Sequence, residues 1–281
     1  MQIFRTADEL RQWSRNIRLA SNNSVGLVPT MGALHAGHAS LIRAAAASCS
    51  HVAVSIFVNP TQFGPNEDFA RYPRTFDADC ALAASTGATA VFAPPVDELY
   101  PQGASTFVDV ENLSNRLDGL SRPGHFRGVA TVVAKLLIGA EADRAYFGQK
   151  DAAQVSIIRR MVTDLRIGTE IVVCPIVRDA DGVALSSRNA YLSPTERAQA
   201  LTLSRAIRQV ESLASSGERC APSLISAARS VFASEPAVRI DYIECVDWST
   251  LEPVETAASG TLFAVAAYVG TTRLIDNTII S

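Results

Sequence analysis

Short apolar runs alternate with longer amphipathic segments through the first two thirds of the chain. DELRQWSRNIRLA (8–20) has the spacing of a short amphipathic helix. VGLVP (25–29) is an unbroken apolar run of strand length, followed by TMGALHAGH and the helix-like SLIRAAAASCS. VAVSIFV (52–58) reads as a strand that stops at Asn59-Pro60. A helical stretch over 75–86 precedes a strand at TAVFAP (89–94), and TFVDVE (106–111) reads as another strand. GVATVVAKLLIGA (128–140) predicts a buried helix, RAYFG (144–148) a strand, 151–166 a helix and EIVVCPIV (170–177) a strand.

Strands that alternate with helices imply crossover units and a largely parallel sheet. Several strands are continuously apolar, as a sheet covered on both faces requires. Right-handed crossovers then give an α/β, Rossmann-like, doubly wound parallel sheet. After Val177 the texture changes. RDADG (178–182) is a polar turn, and Ser193-Pro194-Thr195-Glu196 has the form of a helix start with a capping box. One helix to about 214, a second over 222–234 and the runs YIECV, TLFAVAAYV and RLIDNTII predict a smaller C-terminal α+β domain. The expected division is 1–176 and 177–281, with the second part closing over a site on the first.

Composition narrows the function classes. The chain has 281 residues, 48% apolar and 19% charged, which is globular composition and argues against disorder. The net charge of −3 supplies no strong basic field for sequence-independent nucleic-acid binding. Five cysteines are scattered singly, without a CxxC pair, which reads as reduced, intracellular usage rather than a disulfide frame or zinc ribbon. The N-terminal segment lacks the apolar core of a signal peptide, and no run is long enough to span a membrane. A cytoplasmic protein is expected.

VGLVPTMGALHAGHASLI carries the most chemistry. A strand, a glycine-bearing turn and a helix start form the crevice where a parallel sheet takes ligands, and a helix N-terminus favours phosphate. Gly32 and Gly37 have P-loop spacing, but His38-Ala39 stands where Lys-Ser/Thr is required. No G-x-G-x-x-G follows a candidate strand. His35 and His38, three apart at a helix start, can face one phosphate group, and Gly37 lets a nucleotide approach the backbone. Taken alone, the same histidines serve equally well as caps or core residues. HxxH lacks the i, i+4 spacing of zinc peptidases.

Four further blocks stand at predicted strand ends or turns. In VSIFVNPTQFGPNEDFARYPRT (54–75), the Asn59 and Gln62 amides suit a small hydroxy acid, or are simply loop residues. SRPGHFRGVATVVAKL (121–136) is a basic loop entering an apolar helix, either solvated or a lid near phosphates. YFGQKDAAQ (146–154) offers Lys150 as a compact charge for a phosphate oxygen, or as part of a cap. RDADGVALSSRNAYLS (178–193) offers two hydroxyls and a guanidinium fork at the domain junction.

The H-x-G-H string resembles the ATP-binding signature of the nucleotidylyltransferase superfamily. VPTMGALHAGHASLI, with the four blocks in order and LIDN near 274–277, resembles the pantothenate synthetase (pantoate–β-alanine ligase) family. The resemblance implies ATP-dependent condensation of (R)-pantoate with β-alanine through a pantoyl adenylate, releasing AMP and diphosphate. It implies an ATP site formed by Met31, Gly32, Ala33, Leu34, His35, Ala36, Gly37 and His38, by Gly148, Gln149, Lys150 and Asp151, and by Val177, Leu185, Ser186, Ser187 and Arg188. Leu185–Arg188 resembles the counterpart of a KMSKS loop. Gln62 would bind pantoate and β-alanine, and Gln154 pantoate. His38, His35, Lys150, Ser186, Ser187 and Arg188 would stabilise charge in the reaction, with His38 donating a proton. Mg²⁺ would arrive with ATP, and Asp79 is a candidate ligand. A homodimer is expected. Ala152 and Ala153 stand where the family pattern has an aromatic residue and a glutamine, which predicts a less filled pocket wall. The alternatives are another nucleotidylyltransferase of the superfamily, acting on a phosphate acceptor, and a non-catalytic nucleotide-binding module.

Overall fold

The computed structural model describes residues 1–19, 23–65 and 67–281. Ala20, at the end of the first predicted helix, and Asn66, within the 54–75 block, lie outside the described residues. Among those described, the first part of the chain runs β1 (Gln2–Phe4), α1 (Ala7–Arg18), β2 (Val25–Thr30), α2 (Ala36–Ser48), β3 (His51–Ile56), α3 (Phe76–Thr86), β4 (Ala90–Phe92), α4 (Val96–Leu99), α5 (Asp118–Ser121), α6 (His125–Ala140), β5 (Arg144–Gly148), α7 (Ala152–Asp164) and β6 (Glu170–Cys174). The strands form one sheet in the order β1-β4-β3-β2-β5-β6, and every neighbouring pair is parallel.

The sheet is covered on both faces. On one side α6 and α7 build an apolar cluster that includes Leu27, Phe126, Val133 and Ile157; on the other α2 and α3 pack Ile42, Ala45 and Ala83 over Val28, Val54 and Val91. The strand order reverses at β2, whose neighbours are β3 and β5. A crevice therefore opens beyond the C-terminal ends of β2 and β5, where parallel sheets take ligands.

The rest of the chain supplies α8 (Pro194–Ser215), α9 (Ala221–Ala233) and the antiparallel sheet β7 (Val238–Val246), β8 (Leu262–Val269), β9 (Thr272–Ile279). Helix α8 starts with the expected capping box: Glu196 N–H donates to the Ser193 hydroxyl at 3.3 Å, and Ser193 N–H to the Glu196 carboxylate at 2.8 Å. The helices bury Leu203, Ile207 and Phe232 against Phe263 and Val265 in a separate cluster. The two parts are pinned together. Trp248 Nε1 donates to the Ala152 carbonyl at 3.1 Å, and Arg273 bridges Asp118 of α5 (2.6 Å) and Asp241 of β7 (2.8 Å).

The short helices α4 and α5 are not anticipated by the sequence, and three other segments depart from its expectations. TFVDVE (106–111) forms no strand; Val108 N–H donates to the Thr131 hydroxyl of α6 at 2.9 Å, so its alternating pattern meets a helix instead of a sheet edge. β6 ends at Cys174, before Pro175, which has no N–H for a ladder. β1 is not anticipated, because three residues are too short to show a period.

Candidate active site

The turn from β2 into α2 sets the geometry. Gly32 (φ 81°) and Ala33 (φ 49°) both lie in the left-handed region, a conformation that costs alanine about 1–2 kcal/mol. A buried carboxylate holds the turn there. Asp79 accepts from Ala33 N–H at 3.0 Å, Leu34 N–H at 2.8 Å and the Thr75 hydroxyl at 3.1 Å. Both oxygens thus accept from the protein, and at 2% exposure the carboxylate is committed to the turn, where the sequence reading has it as a candidate Mg²⁺ ligand.

His35 is the N-cap of α2 and His38 its third residue, and the two rings form a capping box. His35 Nδ1 accepts from Gly37 N–H at 3.1 Å, and His38 Nδ1 accepts from His35 N–H at 3.3 Å. With both Nδ1 atoms accepting, each neutral ring carries its proton on Nε2. The rings lie 4.1 Å apart, centroid to centroid. Burial, with His35 and Lys150 nearby, pushes the His38 imidazolium down to about 3; burial and then Lys150 also lower His35. Both rings are therefore neutral Nε2–H donors near pH 7. A Cβ at Gly37 would meet the His35 ring at 2.9 Å, so this glycine makes room for the cap itself.

These rings line one cleft together with Met31, Gly37, Gly148, Lys150, Asp151, Gln154, Val177, Leu185, Ser186, Ser187 and Arg188. Segments separate in sequence thus converge at the strand-order reversal. The Ser187 hydroxyl donates to the Ala33 carbonyl at 3.3 Å. Asp68 fixes the Arg188 guanidinium plane through Nε (3.1 Å) and Nη2 (2.9 Å). The remaining expected nucleotide residues do not line the cleft. Gly32, Ala33 and Leu34 form the stapled turn, Ala36 is exposed, and the Gln149 side chain turns away to Asn277 at 3.2 Å. Ala152 and Ala153 are buried in the main apolar cluster rather than in the cleft wall, which corrects the expectation of a less filled pocket.

Gln62 sits beside the cleft, its Nε2 3.2 Å from Met31 Sδ. Its Oε1 accepts from Asn59 Nδ2 at 3.0 Å, while Asn59 Oδ1 accepts from the Tyr100 hydroxyl at 2.9 Å. The basic loop braces it from behind. His125 Nδ1–H donates to the Gln62 carbonyl at 2.8 Å, and Arg122 pairs with His125 Nε2 (2.9 Å) and with Glu67 (2.6 Å). Burial, and then Arg122, pushes His125 down to about 4. Gly128 is what permits this approach: a Cβ there would meet the Thr61 carbonyl oxygen at 2.4 Å. Arg122 and His125 line a second cavity that shares Lys150, Asp151, Gln154, Ser186 and Arg188 with the first.

A profile of the family described as pantoate-beta-alanine ligase matches residues 2–279. The chain belongs to the pantoate–β-alanine ligase family. It is 59% identical to the pantothenate synthetase of Acidobacterium capsulatum, in an alignment covering 100% of this chain and 97% of that protein. The crystal structure of pantothenate synthetase from Thermus thermophilus is 43% identical with a TM-score of 0.93, covering 100% of this chain and 99% of that one. The pantoate-beta-alanine ligase of Francisella tularensis, solved with beta-gamma ATP and beta-alanine, is 34% identical with a TM-score of 0.80, covering 99% of this chain and 97% of that one.

Several residues that shape this family member's site escape a reading of the sequence. Asp68 and Tyr100 act only through tertiary contacts, and no spacing marks them. The glycine in an otherwise apolar helix, Gly128, is the one available sign that α6 closes against the Gln62 segment.

Proposed function

We propose that this chain condenses (R)-pantoate with β-alanine at the expense of ATP, giving pantothenate, AMP and diphosphate. A carboxylate resists an amine because its oxygen is a poor leaving group. A pantoate oxygen first attacks the α-phosphorus and diphosphate departs. The β-alanine amine then attacks the carbonyl of the pantoyl adenylate, and AMP leaves with that oxygen. No protein nucleophile is required. The protein positions the reactants and stabilises charge.

The residue roles follow from the donors present. His35 and His38 direct Nε2–H groups at the phosphates. His38, more deeply buried, holds the position where charge develops at the α-phosphoryl group. Lys150, Ser186, Ser187 and Arg188 take the charge that moves to diphosphate, and Met31, Gly37, Gly148 and Asp151 line the nucleotide's cleft, with Val177 and Leu185 beside the base. Gln62 and Gln154 hold the acid, and Gln62 also the amine substrate. These amides favour a hydroxy acid over a phosphorylated acceptor. Mg²⁺ enters as part of the MgATP substrate. Among the described residues no group of three or more His, Cys, Asp or Glu could hold a metal ion, and the metal usually keeps its waters beside a phosphate.

The reading includes a boundary near residue 176, supported by the separate apolar cluster of the later segment, a homodimer, supported by the family resemblance, and a cytoplasmic location, supported by five free cysteines. Among the described residues no helix is long and apolar enough to cross a membrane. The observation that carries the function is the convergence of the H-x-G-H turn, the Lys150 turn and the Ser186–Arg188 loop on one cleft. The test is incubation with ATP, pantoate and β-alanine, omitting each in turn. AMP and pantothenate form only in the complete mixture at a sustained rate; formation without β-alanine or without pantoate refutes the reading.

A further inference from the structure

Lys150 stands in a short 3₁₀ turn, Gln149–Asp151, between β5 and α7. So short a turn has little internal bonding to fix its direction. What fixes it comes from the other sheet. Asn277, on β9, is 3% exposed. Its Nδ2 donates to the carbonyl of Gln149 at 3.0 Å and to that of Lys150 at 2.9 Å, and its Oδ1 accepts from Gln149 Nε2 at 3.2 Å. Both amide hydrogens and the carbonyl oxygen are thus directed at this one turn. The two carbonyls belong to the peptide planes on either side of the Lys150 Cα, so the clamp constrains the φ and ψ that aim the lysine. Asn277 is itself anchored. Its N–H donates to Asp276 at 2.9 Å, and Asp276 is held by Arg178 at 2.6 and 2.9 Å.

We infer that Asn277 is a positioning residue for adenylate formation, acting from the C-terminal sheet through the Lys150 turn. The inference rests on the phosphate role proposed above for Lys150. It separates the two half-reactions. Diphosphate leaves in the first, where Lys150 acts. The second, attack of the amine on the adenylate, involves no diphosphate and does not depend on the clamp.

Asn277→Asp tests it. The change is nearly isosteric and keeps an acceptor for Gln149, but it sets a carboxylate oxygen against two carbonyls. Folding is checked by circular dichroism, and Asn277→Ser replaces it if the aspartate does not fold. Single-turnover adenylate formation from ATP and pantoate is expected to fall by at least about tenfold, the scale on which misplacement of a catalytic group acts. Attack by β-alanine on preformed adenylate stays within about twofold of wild type, and Lys150→Ala/Asn277→Asp is about as slow as Lys150→Ala alone, because groups acting through one another are not additive. Equal losses in the Asn277 variant with and without Lys150, parallel losses in both half-reactions, or unchanged adenylate formation overturns the inference. If Lys150→Ala itself adenylates at the wild-type rate, the reading of the lysine fails first and the inference with it.

Discussion

Asp79 determines whether the H-x-G-H turn has a shape at all, and replacing it with asparagine shows how much. The carboxylate is 2% exposed and accepts three hydrogen bonds, two of them from consecutive backbone N–H groups. In Asp79→Asn, an NH₂ group must take the place of one oxygen. If it replaces Oδ2, it opposes the Ala33 N–H; if it replaces Oδ1, it opposes the Leu34 N–H. Either way one part-buried N–H loses its acceptor, at up to about 1–3 kcal/mol, and the new amide hydrogens beside it add a similar burden. Ala33 at φ 49° contributes its own strain of about 1–2 kcal/mol, which the staple no longer offsets fully. A destabilisation of about 2–4 kcal/mol is expected in urea unfolding. His35 directly follows the stapled Leu34, so a shift of about 1 Å there would slow ATP–diphosphate exchange by up to about 10²-fold. Stability within about 0.5 kcal/mol of wild type, with normal exchange, would refute the staple. Normal stability with a raised Mg²⁺ requirement would return Asp79 to the role of metal ligand.

Three further outcomes are expected. His38→Ala slows adenylate formation by about 10²–10³-fold while the helix stays folded on Leu41, Ile42 and Ala45; near-normal exchange would falsify the donor role. Gln62→Ala raises the Michaelis constants for pantoate and β-alanine more than that for ATP, and unchanged constants for both acids count against it. Acid also reads the buried imidazoles. His38 and His125 titrate at about 3 and about 4 in the folded chain, against about 6.5 when unfolded. The unfolded chain therefore takes up protons that the folded one refuses, and stability falls as pH drops from about 6.5 to 5, above the range of most carboxylates. His125→Gln makes that slope shallower, as monitored by thermal melting; an unaltered slope contradicts the buried neutral assignment.

The parts of this molecule legible in the sequence are those whose signal is local. β2, β3 and β5 are largely apolar runs of strand length, and the Ser193–Glu196 cap lies within four consecutive residues, so both are visible without the fold. The candidate site is legible as separate blocks because each sits at the end of such an element. Contacts that join distant segments are not legible. Asp79 reaches back 45 and 46 residues to the turn, and Asn277 reaches Lys150 across 127. TFVDVE shows the converse error: its alternation is real, but with no strand edge beside it the segment satisfies its backbone on Thr131. The tautomer of His35 and His38 likewise depends on which backbone N–H each Nδ1 meets, which their spacing leaves open.

The central claim is that a pantoate oxygen displaces diphosphate at the cleft lined by His35 and His38. Pantoate labelled with ¹⁸O in both carboxylate oxygens, turned over with ATP and β-alanine, tests it most directly. One ¹⁸O in the AMP phosphate, with unlabelled diphosphate, is the predicted result. Label in orthophosphate or diphosphate, or AMP free of label, would contradict the account.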